Sequence, residues 1–250
     1  MNWVLQAGLT CGTYSIFSAY PEVCHGVFTR QDGVSKKPFD SLNAGFHVGD
    51  KSDCVRENRK RISAVIGGEL VSVRQVHGST VQIIKDVCDG DVEADAMITQ
   101  RPGIFLTILT ADCQAILLYD PVQHVVANVH SGWRGNVQNI LAATLAVMQN
   151  QFACDPRQIV AGIGPSLGPC CAEFIHYETE LPNSFYPYRR GKAQFDFWAI
   201  SADQLTNEGI LPEHIEIAGL CTVCHPNEFY SYRREHATGR FATVIGIKGT

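Results

Sequence analysis

Imidazoles and thiols bind transition metals and exchange protons near neutral pH, so His77, Cys113 and His130 are the first residues to consider. Each stands at the end or edge of an apolar, β-branched run: His77 after Val71 to Val76, Cys113 between two such runs, His130 at the close of Val125 to Val129. Their separations of 36 and 17 residues lie far from the short Cys-x-x-Cys and His-x-x-x-His spacings of zinc fingers and zincins. Only tertiary structure can unite them. United, two imidazoles and a thiolate leave the fourth position of a tetrahedral zinc open to water or substrate, which is how catalytic sites are built. The alternative is a small buried Cys113 with two hydrogen-bonded core or rim histidines. Cys113 and His130 alone also fit the template of a thiol nucleophile and its base.

Candidates for anion and proton chemistry surround this set. Ser131-Gly132-Trp133-Arg134-Gly135 follows a strand and precedes a helix expected from Asn136. Backbone N–H groups and the Arg134 guanidinium are therefore expected to converge on phosphate. As a plain tight turn, the same run would use its glycines for geometry and Trp133 for packing. Arg59 is a second anion candidate, in a run with Arg56, Lys60 and Arg61 that otherwise reads as a solvated face. Asp112, beside Cys113, is suited to orienting an imidazole or exchanging protons, or else to capping a turn. Asp95, between two alanines, is read the same way. Cys113, Asp112 and Arg134 thus form the expected catalytic group.

The remaining cysteine motifs point elsewhere. Cys221-Thr222-Val223-Cys224-His225 fits the attachment pattern of c-type haem. That attachment needs an oxidising compartment, yet Met1 to Thr13 lacks the basic and small-residue features of a secretory signal, and Pro226 favours a turn. A thioredoxin-like pair would need a βαβ context that is not apparent. Pro169-Cys170-Cys171 is half of the zinc deaminase signature, without a preceding His-x-Glu. Cys170 and Cys171 are read as packed thiols near the pocket.

With 250 residues, 45% hydrophobic and 18% charged, the chain has the composition of a folded protein rather than a disordered one. Its longest apolar stretch, Ile104 to Tyr119, is interrupted at Thr107, Thr110, Asp112 and Gln114, so no membrane span is expected. A net charge of -5 gives no basic field for nucleic acid. A cytoplasmic location is expected, where ten cysteines serve metals, catalysis or packing rather than disulfides.

Periodicity and stop signals predict helices over Lys51 to Ile66, Asn136 to Phe152 with Asn136 as N-cap, and Ala199 to Glu208. Strands are predicted at Leu70 to Val76, Thr80 to Lys85, Ala96 to Thr99, Ile104 to Thr110, Ala115 to Tyr119 and Val125 to His130. Others fall at Ile159 to Gly162, Ile215 to Gly219 and Phe241 to Ile247. The strands cluster before the long helix instead of alternating with helices. The expected class is therefore α+β, one domain over residues 1–250 with mixed β-sheets layered against flanking helices.

Six runs follow one another in order from about Asn43 to the C-terminus. They are Arg74-Gln75-Val76-His77-Gly78; Ala94-Asp95-Ala96; Thr110-Ala111-Asp112-Cys113; Val129-His130-Ser131-Gly132-Trp133-Arg134-Gly135; Gly162-Ile163-Gly164-Pro165 with Gly168-Pro169-Cys170-Cys171; and Tyr232-Arg233-Arg234 with Thr238-Gly239-Arg240. In these runs the chain resembles the laccase-domain family of bacterial purine nucleoside phosphorylases, formerly described as multicopper polyphenol oxidases. The resemblance implies a zinc ion at the positions matching His77, Cys113 and His130, with copper as the alternative metal. It implies phosphorolysis of adenosine, inosine and methylthioadenosine, with adenosine deamination beside it. It also carries over Asn43 as a substrate-binding residue, to stand with Arg59. Ser131 departs from the family's more usual Ala and would alter hydrogen bonding beside His130. Asn43-Ala44-Gly45 replaces a more usual Asn-Leu or Ser-Leu pair, which bears on the Asn43 assignment.

The expected partners are a small-molecule nucleoside and phosphate, neither nucleic acid nor membrane, with the number of subunits open. Competing readings are a cysteine hydrolase using Cys113 and His130, the peptidoglycan-precursor editing found in some relatives of the resembled family, and a copper-dependent polyphenol oxidase. Against the last, blue-copper sites usually add a weak axial Met, and multicopper oxidation needs more histidines than these nine scattered ones. A structural or binding protein, in which these side chains only pack, is the non-enzymatic option.

Overall fold

The apolar stretch from Ile104 to Tyr119 becomes two neighbouring strands whose side chains are buried on both faces, and the rest of the architecture is built around them. The structure, a computed structural model, describes residues 1–87 and 89–249. Its strands are β1 (Asn2–Gln6), β2 (Leu9–Thr13), β3 (Val23–Phe28), β4 (Glu69–Arg74), β5 (Val81–Ile83), β6 (Asp89–Glu93), β7 (Ala96–Thr99) and β8 (Ile104–Thr110). They continue with β9 (Gln114–Asp120), β10 (Val125–Ser131), β11 (Val160–Ile163), β12 (Arg189–Arg190), β13 (Gln194–Phe195), β14 (Ile215–Ile217) and β15 (Phe241–Ile247). The α-helices are α1 (Ser52–Ile66), α2 (Trp133–Val137), α3 (Ile140–Phe152), α4 (Tyr177–Glu180), α5 (Phe197–Asn207) and α6 (Tyr232–Glu235).

One sheet runs β1-β2-β3-β15-β8-β4-β6 and the other β14-β11-β9-β10-β7-β5, with β12 and β13 forming a small separate ribbon. Both large sheets are mixed. In the first β4 lies parallel to β8 and β6, and in the second β5 is parallel to β7 and β11 to β14. Residue alternation then sorts the side chains into layers. Ala115, Leu117 and Tyr119 of β9 join Leu106 and Ile108 of β8 and Ile245 of β15 between the sheets. Ile116 and Leu118 face the other way, onto Leu141, Leu145 and Met148 of α3 and Leu205 of α5. Ile62, Val65 and Ile66 of α1 cover Phe105 and Val244 on the outer face of the first sheet. The result is a helix, sheet, sheet, helix sandwich, the α+β class with mixed sheets expected from the strand clustering. Each fully buried aliphatic side chain contributes about 1.5–3 kcal/mol.

Helix boundaries depart from expectation where a local backbone preference intervenes. The stretch expected as one helix from Asn136 is two, α2 and α3, because Asn139 sits at φ 52 and a left-handed residue cannot continue a helix. Asn139, not Asn136, is the N-cap of α3, its side chain accepting from the Ala142 N–H. Asp196 caps α5, which starts at Phe197, two residues ahead of the expected start. The hairpin of β1 and β2 turns through Ala7 and Gly8, both at positive φ as a type I′ turn requires. Among the described residues no helix is long and apolar enough to cross a membrane.

Candidate active site

The crossing from one sheet to the other positions the site. β8 ends in the first sheet, the chain turns through Ala111, Asp112 and Cys113, and β9 begins in the second. His130 lies opposite Ala115 near the end of β10, which brings it close to Cys113. His77 arrives from beyond β4. Asp95, fully buried, gathers this corner: its Oδ1 accepts from the His77 N–H at 2.9 Å and its Oδ2 from the Gly78 N–H at 2.7 Å. These bonds hold His77 at φ 60, a conformation few non-glycine residues adopt unsupported. The same Oδ1 lies 2.7 Å from His130 Nδ1, so that nitrogen donates to the carboxylate and Nε2 is left for a metal or for Cys113.

The three ligand atoms of His77, Cys113 and His130 all lie within 4.8 Å of one another, with His77 Nε2 3.9 Å from Cys113 Sγ. A tetrahedral zinc with ordinary bond lengths would set that nitrogen and sulfur about 3.6 Å apart, so the residues fit such an ion with little movement. His77 is exposed, Cys113 half-buried and His130 buried, so the set opens to solvent on one side. Gly132 is required beside it. A Cβ there would come within 3.1 Å of both Cys113 Sγ and the His77 ring.

Electrostatics favour a charged pair. Burial raises the Cys113 thiol, but the charges and hydrogen bonds of His130 and His77 outweigh it and bring the pKa down to about 6. Burial lowers His130, but the Cys113 thiolate and the Asp95 carboxylate raise it to about 9. Burial also raises Asp95, and its bonds to His130, Gly78 and His77 more than compensate, holding it below the ordinary carboxylate value.

Two cavities share a wall of Asp112, Cys113, Leu167 and Arg233. The smaller, about 320 Å³, is faced with Trp133, Phe174 and Phe197. The larger cleft, about 1220 Å³, contains His77, His130, Arg59 and Arg240 together with Phe46 and His47. Arg59 is buried, not solvated. It donates to Ser72 Oγ at 3.1 Å and lies over the Phe46 ring.

Other expected site residues take different places. Asn43 does not line the cleft: it is fully buried, its Oδ1 accepting from the Gly45 and Arg240 N–H groups and its Nδ2 donating to Asp50. Its hydrogen-bonding capacity is used behind the wall, on the loop that presents Phe46 and on the backbone of Arg240. Arg134 is exposed and stacked 4.3 Å above the Trp133 ring, outside the linings of both cavities, and α2 is a single turn. Asp112 lines both cavities, at φ 101, with Oδ1 accepting from Thr222 and Oδ2 from the Arg233 N–H. Ser131 is bonded by the Asn136 amide rather than by His130.

The sequence reading gives no role to Arg233 or Arg240, although both stand in runs that it singles out. Nor does it separate Asp95 from Asp112, because the signal that does so is three-dimensional: burial and four nearby donors.

A family model described as "Multi-copper polyphenol oxidoreductase laccase" matches residues 24–248. The chain is similar to "Purine nucleoside phosphorylase YlmD" of Bacillus subtilis (strain 168), 34% identical over 248 residues that cover 91% of this chain and 89% of that one. It is also 34% identical to "Purine nucleoside phosphorylase YfiH" of Escherichia coli (strain K12), over 88% of this chain and 91% of the other. The crystal structure of YlmD from Geobacillus stearothermophilus superposes with a TM-score of 0.87 at 30% identity, covering 96% of each chain.

Proposed function

The chain belongs to the laccase-domain family, and from that premise we propose that it is a zinc-dependent purine nucleoside phosphorylase. Its substrates are adenosine, inosine and methylthioadenosine, with adenosine deamination as a side activity. The relatives' names support the reaction class. The observation that carries the reading is the placement of His77, Cys113 and His130 where an aromatic cavity meets an arginine-lined cleft.

Phosphorolysis joins a phosphate oxygen to C1′ of the ribose and breaks the bond from C1′ to the purine, which leaves with a proton. Trp133, Phe174 and Phe197 offer flat apolar surface for the purine. Arg59 and Arg240 offer guanidinium groups for phosphate, the place first expected of Arg134. Asp95 orients His130, and Asp112 fixes the shared wall by tying Thr222 and Arg233 to it. Zinc would be held by His77, Cys113 and His130 and supplies a Lewis acid when bound. The whole chain is read as one catalytic domain working in the reducing cytoplasm.

A second reading is favoured by the lowered Cys113 pKa: a metal-free thiolate and imidazolium pair is a hydrolase nucleophile and its acid, the chemistry that precursor editing would use. Copper at the same positions would serve a polyphenol oxidase, but the two ligand clusters among the described residues include only two histidines.

The test is product analysis of adenosine incubated with purified protein, with and without phosphate, beside the Cys113→Ala variant. Adenine and ribose 1-phosphate formed only with phosphate and intact Cys113 are expected. Adenosine recovered unchanged in every sample would overturn the reading, and activity that survives a chelator would favour the thiol hydrolase.

A further inference from the structure

A second cluster of soft ligands lies outside the catalytic set. Cys170, Cys171, Cys221 and Cys224 come from two loops, and their four sulfurs lie within 4.8 Å of one another. Cys224 Sγ is 3.6 Å from Cys170 Sγ and 3.7 Å from Cys171 Sγ. All four are free, and these distances far exceed the roughly 2.05 Å of a disulfide. They match instead the edge of a tetrahedron of four thiolates at the ordinary zinc–sulfur bond length, about 3.8 Å.

Three further features separate this cluster from thiols that merely pack. Packed cysteines are buried as small hydrophobes, whereas Cys170 and Cys224 are exposed. The Cys221-to-Cys224 segment is a tight turn, the Cys221 carbonyl accepting from the Cys224 and His225 N–H groups, each at 3.1 Å, and lying 2.9 Å from His225 Nδ1. The two loops also cross at a glycine. A Cβ on Gly168 would lie 3.0 Å from the Cys221 Cβ and 2.8 Å from the Trp198 ring.

We propose that Cys170, Cys171, Cys221 and Cys224 form a second metal site, a closed tetrathiolate that takes one zinc ion and staples the wall of the active-site cavity. Four protein ligands leave no position for substrate, which makes the site structural. Its reach into the active site is short. Glu173 and Phe174, one residue beyond Cys171, line the aromatic cavity, and Thr222, inside the Cys-x-x-Cys loop, donates to Asp112. Arg233 and Arg234 brace both loops through the carbonyls of Cys171, Glu173, Thr222 and Val223. Binding displaces the thiol protons, so occupancy falls in acid.

The test counts zinc per chain by elemental mass spectrometry in the full-length protein and in two double variants. Wild type is expected to carry two ions, His77→Ala/Cys113→Ala one, and Cys221→Ser/Cys224→Ser one. Cobalt added to the zinc-stripped His77→Ala/Cys113→Ala protein should give the thiolate-to-metal charge-transfer band of a tetrahedral sulfur site. If the cysteine variant fails to fold, alkylation of the wild type still decides: these four cysteines should be protected until a chelator is added. An open-site variant without zinc and without the cobalt band would overturn the proposal, as would a disulfide within the cluster after anaerobic purification. None of these readouts depends on whether adenosine is cleaved.

Discussion

The two sulfur-containing centres are built in opposite ways. His77, Cys113 and His130 stand at or just beyond the ends of strands in two sheets and are held by a buried carboxylate, while the four cysteines sit on two loops joined by a backbone bridge between Ser166 and Cys221 and braced by the side chains of Arg233 and Arg234. The first offers three ligands and an exposed flank, the second four ligands and none left over. Rigid strands suit a centre whose geometry must be kept while one position stays open to exchange. Loops suffice where the ion itself completes the structure. On the two proposals above, reaction and stability fall to different metals in one chain.

Substitution of an open-site ligand should separate the two centres most sharply. Cys113→Ala or His130→Ala should remove the catalytic zinc and lower activity beyond the roughly 100-fold that loss of a supporting residue costs. Elemental analysis should still find the other ion, and a chelator should still lower the melting temperature of these variants. Full zinc content in either variant would remove that residue from the ligand set.

Thiol titration of the metal-free protein should show the next largest contrast. Alkylation of Cys113 should have its midpoint near pH 6, falling as acid protonates the thiolate that His130 and His77 stabilise against the cost of burial. Cys170, which burial raises to about 11 with help from Cys221 and Cys224 and against the opposing bond with Cys171, should stay unreactive until strongly alkaline pH. Equal midpoints, read by peptide mass spectrometry across pH, would erase the distinction.

Asp95→Asn keeps the size of the side chain but weakens its hold on His130. Zinc affinity and activity should fall by about 10–100-fold, the usual cost of losing a supporting carboxylate. Competition with a chromophoric chelator measures this, and an unchanged affinity would reduce Asp95 to a loop anchor. Gly132→Ala should act more mildly. The added methyl crowds Cys113 and His77 by a few tenths of an ångström, so the catalytic zinc should bind severalfold more weakly while the tetrathiolate keeps its ion.

How much of this was legible in the sequence follows from the range over which each feature is determined. β7, β8 and β15 fall at the limits that their β-branched runs predict, because both faces of these strands are buried and the runs are mostly apolar and β-branched. The N-terminal strands escaped. β1 is exposed throughout, and Cys24, His25 and Gly26 give β3 no apolar alternation. The break between α2 and α3 was hidden because one left-handed asparagine leaves no mark on periodicity. Residues 36 and 17 apart carry no ligand signal in their spacing, so residue type and strand position offered the three-ligand centre as one alternative and the resemblance singled it out. The cysteine site was visible as two halves, Cys170-Cys171 and Cys221-x-x-Cys224, each a poor match to a known motif; the fold joins them. Arg59 could be named, but its burial against Ser72 depends on how α1 packs across β4.

The place of β15 has a consequence for how the chain reaches this state. Residues 241–247 lie at the centre of the seven-stranded sheet, between β3 and β8, although residues 23–28 of β3 precede them by most of the sequence. Until this strand docks, β3 and β8 each present an apolar edge with unsatisfied backbone groups, the geometry through which chains pair with the wrong neighbour. Closing that sheet requires the longest loop closure in the molecule, so it comes late and slowly. Substitutions in β15 should therefore show themselves first as aggregation during refolding, in protein that would have kept its native chemistry had it arrived.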